Sequence, residues 1–324
     1  MANINLAVSL AATAGLAFTA VAGAADYPQR PVRMIVANAP GSTSDTFGRM
    51  VFSRMSEAFG QQIVVDNRAG AGGVIGAEIT ARALPDGYTL GAFTAAVLAI
   101  APHVHPKIPY HPLKSFAPVS LFVRTQTALC VTPALPARSV REFIELGKAR
   151  KGGLQLASAG VGSTSHLGGL LFASMAGFDT NHVPYKGGGP AMAAVVQGEA
   201  QWILGPLGTA MAHVRAGRLR CLATGGDSRS VAAPELPTIA ESGLPKFQYT
   251  GWNGVLAPSG VANEIIERLN TAMRKTLAAD DLRQRFLHQG ESPSHTSARE
   301  FAALIRSDYE AMGPIVRRAG ITAD

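Results

Sequence analysis

Two short stretches rich in glycine and hydroxyls, Ala39-Pro40-Gly41-Ser42-Thr43-Ser44-Asp45 and Ser158-Ala159-Gly160-Val161-Gly162-Ser163-Thr164-Ser165-His166, each follow an apolar run and each open a helical pattern. A chain that twice passes through strand, small-residue loop and helix has few architectures open to it. The amides of a helix's first turn lack an internal acceptor and lie at the positive end of its dipole, so a loop without bulk lets an anion reach them. One such loop is weak evidence. A matched pair, one in each half of the chain, predicts a clamp around one small negative guest.

The alternation continues on both sides of these loops, as in an α/β chain. Val32 to Ala37 predicts a first strand, and Phe47, Met50, Val51, Met55 and Ala58 predict a helix over 46–59 with one buried face. Ile63-Val64-Val65 predicts a second strand, followed by a glycine-rich loop and a helix through Ala83; Pro85-Asp86-Gly87 turns the chain into a third strand, Tyr88 to Phe93. In the second half Ser139 with Glu142 forms a capping-box pattern before a helix, and Leu154 to Ala157 is a strand. Pro190 suits the first turn of another helix. Further strands are expected near 201–204, 219–224 and 249–257, then helices over about 261–278, 281–288 and 297–318. No flexible linker interrupts the pattern, so crossover strands near 122–127 and 248–253 are the expected hinges.

Residues 1–25 carry no Lys, Arg, Asp or Glu, and an apolar stretch from Leu6 to Val21 precedes Ala22-Gly23-Ala24-Ala25. This predicts a secretory signal peptide, with a single membrane anchor as the rival reading. About 300 residues remain, enough for two packed domains. The formal charge of +7 belongs wholly to that part, but its Lys and Arg are scattered. Neither a basic cluster nor a recognition motif supports nucleic-acid binding; solvated helix faces explain most of these charges, with a mild positive field that draws in anionic solutes as the further expectation. Cys130 and Cys221 lie inside apolar strand-like runs, where buried free thiols are the plain expectation and a disulfide in an oxidising compartment is the alternative.

Several pieces in register carry a resemblance over essentially the whole mature chain. They are Tyr27-Pro28 with Arg30-Pro31-Val32, Asn67-Arg68 with Gly70-Ala71-Gly72-Gly73 and Gly76, Pro85-Asp86-Gly87-Tyr88-Thr89-Leu90, and Phe116-Ala117-Pro118-Val119. The second half adds His182-Val183-Pro184-Tyr185-Lys186-Gly187, Ala216-Gly217-Arg218-Leu219-Arg220, Glu235-Leu236-Pro237-Thr238, and Gly251-Trp252-Asn253-Gly254 with Ala257-Pro258. The chain resembles the periplasmic solute-binding proteins of tripartite tricarboxylate transporters, the Bordetella uptake gene receptors. The resemblance implies an α/β, two-domain Venus flytrap of the type II periplasmic binding protein plan, with a carboxylated ligand in the cleft. Residues 26–124 with 251–324 are then the first domain and 125–250 the second. It implies periplasmic localisation, a small organic acid as ligand and membrane transporter subunits as partners; a monomer and no cofactor are expected beside it. Two departures stand out: Ser42 replaces a usual glycine, and Gln201 and Leu204-Gly205-Pro206 stand where many relatives have an Asp. Loss of cleft-edge acids tilts the ligand away from a cation or amino acid and toward a plain organic acid, with a solvent-facing Gln201 as the alternative.

The candidate ligand contacts follow from loop chemistry and the resemblance together. Gly41, Ser42, Thr43 and Ser44 offer amides and hydroxyls in the first domain, while capping is the competing explanation of Ser44 and Asp45, the latter pairing with Arg49. Thr94 and Ala95 end the third strand, at the edge where open α/β sheets bind ligands. Gly162, Ser163, Thr164, Ser165 and His166 are the second cradle, with a core or capping role the alternative for His166. Tyr185, Lys186 and Gly187 end another strand of that domain. Arg68 is expected to pair with Asp66 or Asp45, and His103, His105 and His111 lie in a Pro-rich loop without the acidic or thiol neighbours of a zinc site. Trp202 and Trp252 read as packing residues. No nucleophile elbow, zinc-protease motif, Walker lysine or complete dinucleotide fingerprint is present, and no acid accompanies Ser163 and His166. An enzyme on the same scaffold and a sensor component are the alternatives to a transport receptor.

Overall fold

The apolar runs become strands and the 3.6-residue patterns become helices, sorted onto two sheets. The computed structural model describes residues 27–105, 107–318 and 320. The leader expected over 1–25 lies outside them. Among the described residues no helix is long and apolar enough to cross a membrane.

The first sheet is built from β1 (Val32–Val36), β2 (Ile63–Asn67), β3 (Thr89–Thr94), β4 (Phe116–Thr125), β10 (Gly251–Pro258) and β11 (Ser292–Pro293), in the order β11-β4-β10-β3-β1-β2. The second holds β5 (Thr127–Val131), β6 (Leu154–Ser158), β7 (Thr180–Pro184), β8 (Trp202–Pro206) and β9 (Arg220–Thr224), in the order β7-β6-β8-β5-β9. Both follow one plan. The first strand of each lobe lies between the second and third, all parallel where paired, and an antiparallel strand separates the third from the fourth. The antiparallel strand is in each case the one that has just entered from the other lobe: β10 in the first and β5 in the second.

Helices cover both sheets: α1 (Thr43–Phe59), α2 (Val74–Ala81), α3 (Ala101–Val104), α8 (Asn263–Leu277), α9 (Asp280–His288) and α10 (Ala298–Arg318) belong with the first, and α4 (Val140–Ala149), α5 (Thr164–Ala176), α6 (Gly188–Gln197) and α7 (Leu207–Arg215) with the second. Their buried stripes explain them. In α8, Ile266, Leu269, Met273 and Leu277 recur at spacings of three and four and enter the core of the first lobe with Val119, Phe122 and Val255. The capping box before α4 is real but shifted at one end. Ser139 Oγ accepts from the Glu142 amide at 3.2 Å, whereas the Glu142 carboxylate accepts from the Arg138 amide at 2.8 Å, one residue before the cap.

The chain crosses between sheets at two adjacent places. β4 ends at Thr125 and β5 begins at Thr127; on the return, Tyr249 binds Gly225 through its amide at 2.7 Å, and β10 starts at Gly251 opposite Thr125. The Thr127 hydroxyl donates to the Tyr249 carbonyl at 2.6 Å, tying the two crossings together. Two further elements bridge the lobes. α10 packs Phe301 and Ile305 into the first lobe and Val316 into the core of the second, and Ile100 and Val104 on the segment after β3 join that same second core.

Cys130 and Cys221 are not free thiols: they face each other on β5 and β9 and form a disulfide across 91 residues of sequence. Register decides this, since the strands are distant in sequence and neighbours only in the sheet. Trp202 is fully buried among Phe143, Phe172 and Phe178, its indole donating to Thr180 Oγ1 at 3.2 Å. Trp252 packs edge-on against Phe301 and donates to Asp308 at 2.6 Å.

Candidate functional site

In both sheets the parallel strands end on the side where the lobes meet, and each first strand delivers the same four residues there. Gly41-Ser42-Thr43-Ser44 follows β1 and Gly162-Ser163-Thr164-Ser165 follows β6. Ser42 and Ser163 are the N-caps of α1 and α5, both extended, with φ and ψ of −68° and 163° and of −72° and 161°. Each cap hydroxyl accepts from the amide three residues on, Asp45 and His166, at 3.3 Å in both cases. The side chain at that third position then reaches back to the preceding glycine. Asp45 Oδ2 accepts from the Gly41 amide at 2.9 Å, and His166 Nδ1 accepts from the Gly162 amide at 3.2 Å. Gly41 and Gly162 hold φ of 79° and 72°, a left-handed backbone that suits glycine.

These bonds divide the candidate groups into occupied and available ones. The glycine amides are taken, as are the amides of Asp45 and His166. The first-turn amides of Thr43 and Ser44, and of Thr164 and Ser165, have no acceptor within their helices. Ser44 is buried, its hydroxyl lying against Asn38 Oδ1 at 3.1 Å and against the Asn253 side chain of β10, so a single O–H serves the strand crossing. Ser165 Oγ accepts from the Ala159 amide at 2.9 Å and lies 3.2 Å from Ser163 Oγ. Thr43 and Thr164 keep their side chains outside this bonding, half-buried at the helix starts.

Asp45 carries the tightest local network. Burial opposes its charge, but the Gly41 amide, Asn67 Nδ2 at 3.0 Å and Arg49 Nε at 2.8 Å together hold the carboxyl below its ordinary value. Arg49 also reaches Asn67. Arg68 chooses Asp66, at 2.9 Å, and Arg33 shares that carboxylate. The arginines nearest the first loop are therefore engaged in pairs, and neutral donors are what the loop has to offer.

In the second lobe the His166 ring is 4% exposed and stacks on His182, with centroids 3.6 Å apart and 17° between planes. His182 Nε2 in turn meets Ser158 Oγ, which accepts from the Gly160 amide at 3.1 Å. Burial, and then the neighbouring His182, push the His166 pKa down to about 4, and burial lowers that of His182. Both rings are neutral at pH 7 and brace the loop. The sign of the pH effect follows. A depressed histidine pKa makes a stabilising contribution present above about 6.5 and lost as the pH falls toward about 4, on the order of 2 kcal/mol for His166. Thermal melts should show the midpoint dropping through that window, and His166→Gln should flatten the drop.

Thr94 ends β3 opposite Asn253, and Ala95, buried, starts the helical segment that leads to α3. Val104 of α3 comes over the second loop, 3.7 Å from where a Gly162 Cβ would stand. Tyr185 follows β7 with its amide on Ser158 O at 2.9 Å; Lys186 is exposed, and Gly187 caps α6 with a φ of 115°. Thus Gly41 to Ser44, Thr94, Ala95, Gly162 to His166 and Tyr185 to Gly187 all lie at the strand ends facing the interlobe side. Gln201 does not. It precedes β8 at the other end of the sheet, its Oε1 accepting from the Gln155 amide at 2.8 Å. Asn38 joins the site unannounced by any motif, and Asn253, though part of the Gly251-Trp252-Asn253-Gly254 motif, joins it as a Ser44 partner that no local pattern singled out. His103 stacks on Tyr309 and bonds its carbonyl at 2.7 Å; among the described residues no group of three metal-ligating side chains occurs.

Two lobes of one topology, hinged by adjacent crossings and meeting at their strand ends, define the two-lobed periplasmic binding protein fold. The sequence model of the tripartite tricarboxylate transporter family receptors matches residues 47–321, and the chain belongs to that family. It is 36% identical over 310 residues to protein BugT of Bordetella pertussis, covering 95% of this chain and 94% of BugT. Among solved structures, R. palustris Rpa4515 with adipate is 32% identical with a TM-score of 0.83, over 91% of this chain and 99% of that one. MatC from Rhodopseudomonas palustris with bound malate is 30% identical with a TM-score of 0.78, over 90% and 100%. The family is one of periplasmic solute-binding receptors that work with transporters.

Proposed function

We propose that this chain is a periplasmic receptor that closes two lobes on a small organic carboxylate and delivers it to the membrane subunits of a tripartite tricarboxylate-type transporter. One observation carries the reading: the duplicated Gly-Ser-Thr-Ser cap leaves a pair of unengaged first-turn amides at the start of α1 and another at the start of α5. Carboxylate oxygens accept such amides, and the engaged arginines argue for neutral donors over a buried ion pair. Adipate and malate in the related receptors support an aliphatic acid as ligand. The candidate contacts are Gly41 to Ser44, Thr94, Ala95, Gly162 to His166 and Tyr185 to Gly187, of which Thr43 and Thr164 are central. Residues 26–124 with 251–324 form one domain and 125–250 the other, a division supported by the two sheets. Residues 1–25 are the export signal of a protein that acts in the periplasm without turning over its ligand.

The test is a thermal-shift screen of the purified protein against aliphatic mono- and dicarboxylates, adipate and malate among them, followed by calorimetry. Binding with one site per chain and recovery of the acid unchanged is the expected result. Conversion of the acid, or binding by none of the panel, refutes the proposal.

A further inference from the structure

Among the described residues four buried side-chain polar atoms lack a hydrogen-bond partner, and three belong to one hinge: Thr125 Oγ1 and Glu291 Oε2, which lie side by side, and Gln126 Oε1, which faces Gly226. Buried polar atoms are almost always paired, so a group of exceptions marks a place built for more than packing. Thr125 and Gln126 are the crossing from β4 to β5. Glu291, 4% exposed, lies in the turn between α9 and β11, held beside that crossing because Ser292 pairs with Arg124.

The second lobe forms the lid over this turn. A Cβ at Gly208, in the first turn of α7, would lie 2.4 Å from the Gln289 carbonyl oxygen, and one at Gly290 would lie 2.5 Å from Gly208 Cα. Backbone therefore meets backbone across the lobes, one residue from the buried carboxyl. Leu207 donates its amide to the Gln126 carbonyl at 2.8 Å, so α7 is attached to the crossing itself. A rotation of the second lobe about the crossing that drew Gly208 off Gly290 would admit water to Glu291.

We propose that Glu291 is a proton-operated latch: its neutral carboxyl keeps the lobes in the packed arrangement, and its ionisation favours their separation. Burial raises the Glu291 carboxyl well above the ordinary carboxylate range, only partly opposed by the Thr125 hydroxyl, which lies beside it without closing a well-formed hydrogen bond. Among the described residues no charged group offsets this burial. On β4, Arg124 acts on Asp308 of α10; α7 brings His213 and Arg215, α9 ends with Arg285 and the exposed His288, and β10 carries no ionisable side chain. The linkage has one sign. Packing takes up a proton, so the packed fraction rises as pH falls, by up to about tenfold in the packed-to-separated ratio per pH unit between the exposed and buried pKa values. If closure holds a carboxylate, as proposed above, its affinity follows the same trend; the latch itself needs no ligand.

The experiment uses the ligand-free protein with spin labels at Ile75→Cys and Val161→Cys, two exposed positions on the cleft edges of opposite lobes, and reads the interlobe distance from pH 8 to pH 5. The short-distance fraction should grow as pH falls. Glu291→Gln should hold that distance at every pH, and Thr125→Val, which removes the opposing hydroxyl, should move the midpoint to higher pH. A distance distribution indifferent to pH, or a Glu291→Gln protein that keeps the wild-type dependence, overturns the proposal. Should Glu291→Gln fail to fold, the Thr125→Val midpoint decides. Because no acid is present, failure of carboxylate binding leaves this readout intact.

Discussion

Thr164→Pro is expected to cut the affinity for the acid returned by the screen by about ten- to a hundredfold, while the thermal midpoint stays within a few degrees of wild type. Proline at the first helical position removes one amide donor and little else, because its fixed φ suits that position and the missing N–H has no intrahelical acceptor. The preceding Ser163 already holds an extended backbone with ψ near 161°, the conformation a following proline requires. A hydrogen bond to a charged group is worth about 1.5–3 kcal/mol, which sets the size of the loss. Thr43→Pro, after Ser42 with ψ near 163°, should repeat the result in the other lobe. Thr164→Val removes only the hydroxyl, so the difference between the Pro and Val variants isolates the amide. Calorimetry showing wild-type affinity in both proline variants would remove these helix starts from the binding site.

The second large effect concerns stability. Closing 91 residues with the Cys130–Cys221 bond restricts the unfolded chain, and the chain-entropy relation puts the contribution at about 4–5 kcal/mol. The double variant Cys130→Ala/Cys221→Ala should therefore melt on the order of 10 °C lower. Thermal scans with and without reductant should give the same decrease in the wild type and none in the variant. A wild-type melt insensitive to complete reduction would show that the bond adds nothing to the second lobe. Since the disulfide lies within the sheet and not at its cleft edge, ligand affinity at 25 °C is expected to survive its loss.

The duplicated Gly-Ser-Thr-Ser was open to view in the sequence, and with it the two helix starts, because capping is chemistry between residues three apart. What each side chain does there was less legible. Ser44 bonds Asn253, 209 residues away, and His166 stacks on His182 from another strand, so neither commitment has a local signal. Gln201 shows the same limit from the other side. Its type suggested a lost cleft acid, and only the direction of β8 puts it at the far end of the sheet.

By itself the sequence determined the strand and helix succession, the two amide-bearing loops and the family, since periodicity, caps and motif order are properties of contiguous residues. Tertiary structure alone decided which donors stay unengaged, that Cys130 meets Cys221, and that Glu291 is buried under α7. The reason is physical: hydrogen bonds, disulfides and desolvation depend on distances through space, and the two crossings bring together residues that the chain keeps far apart.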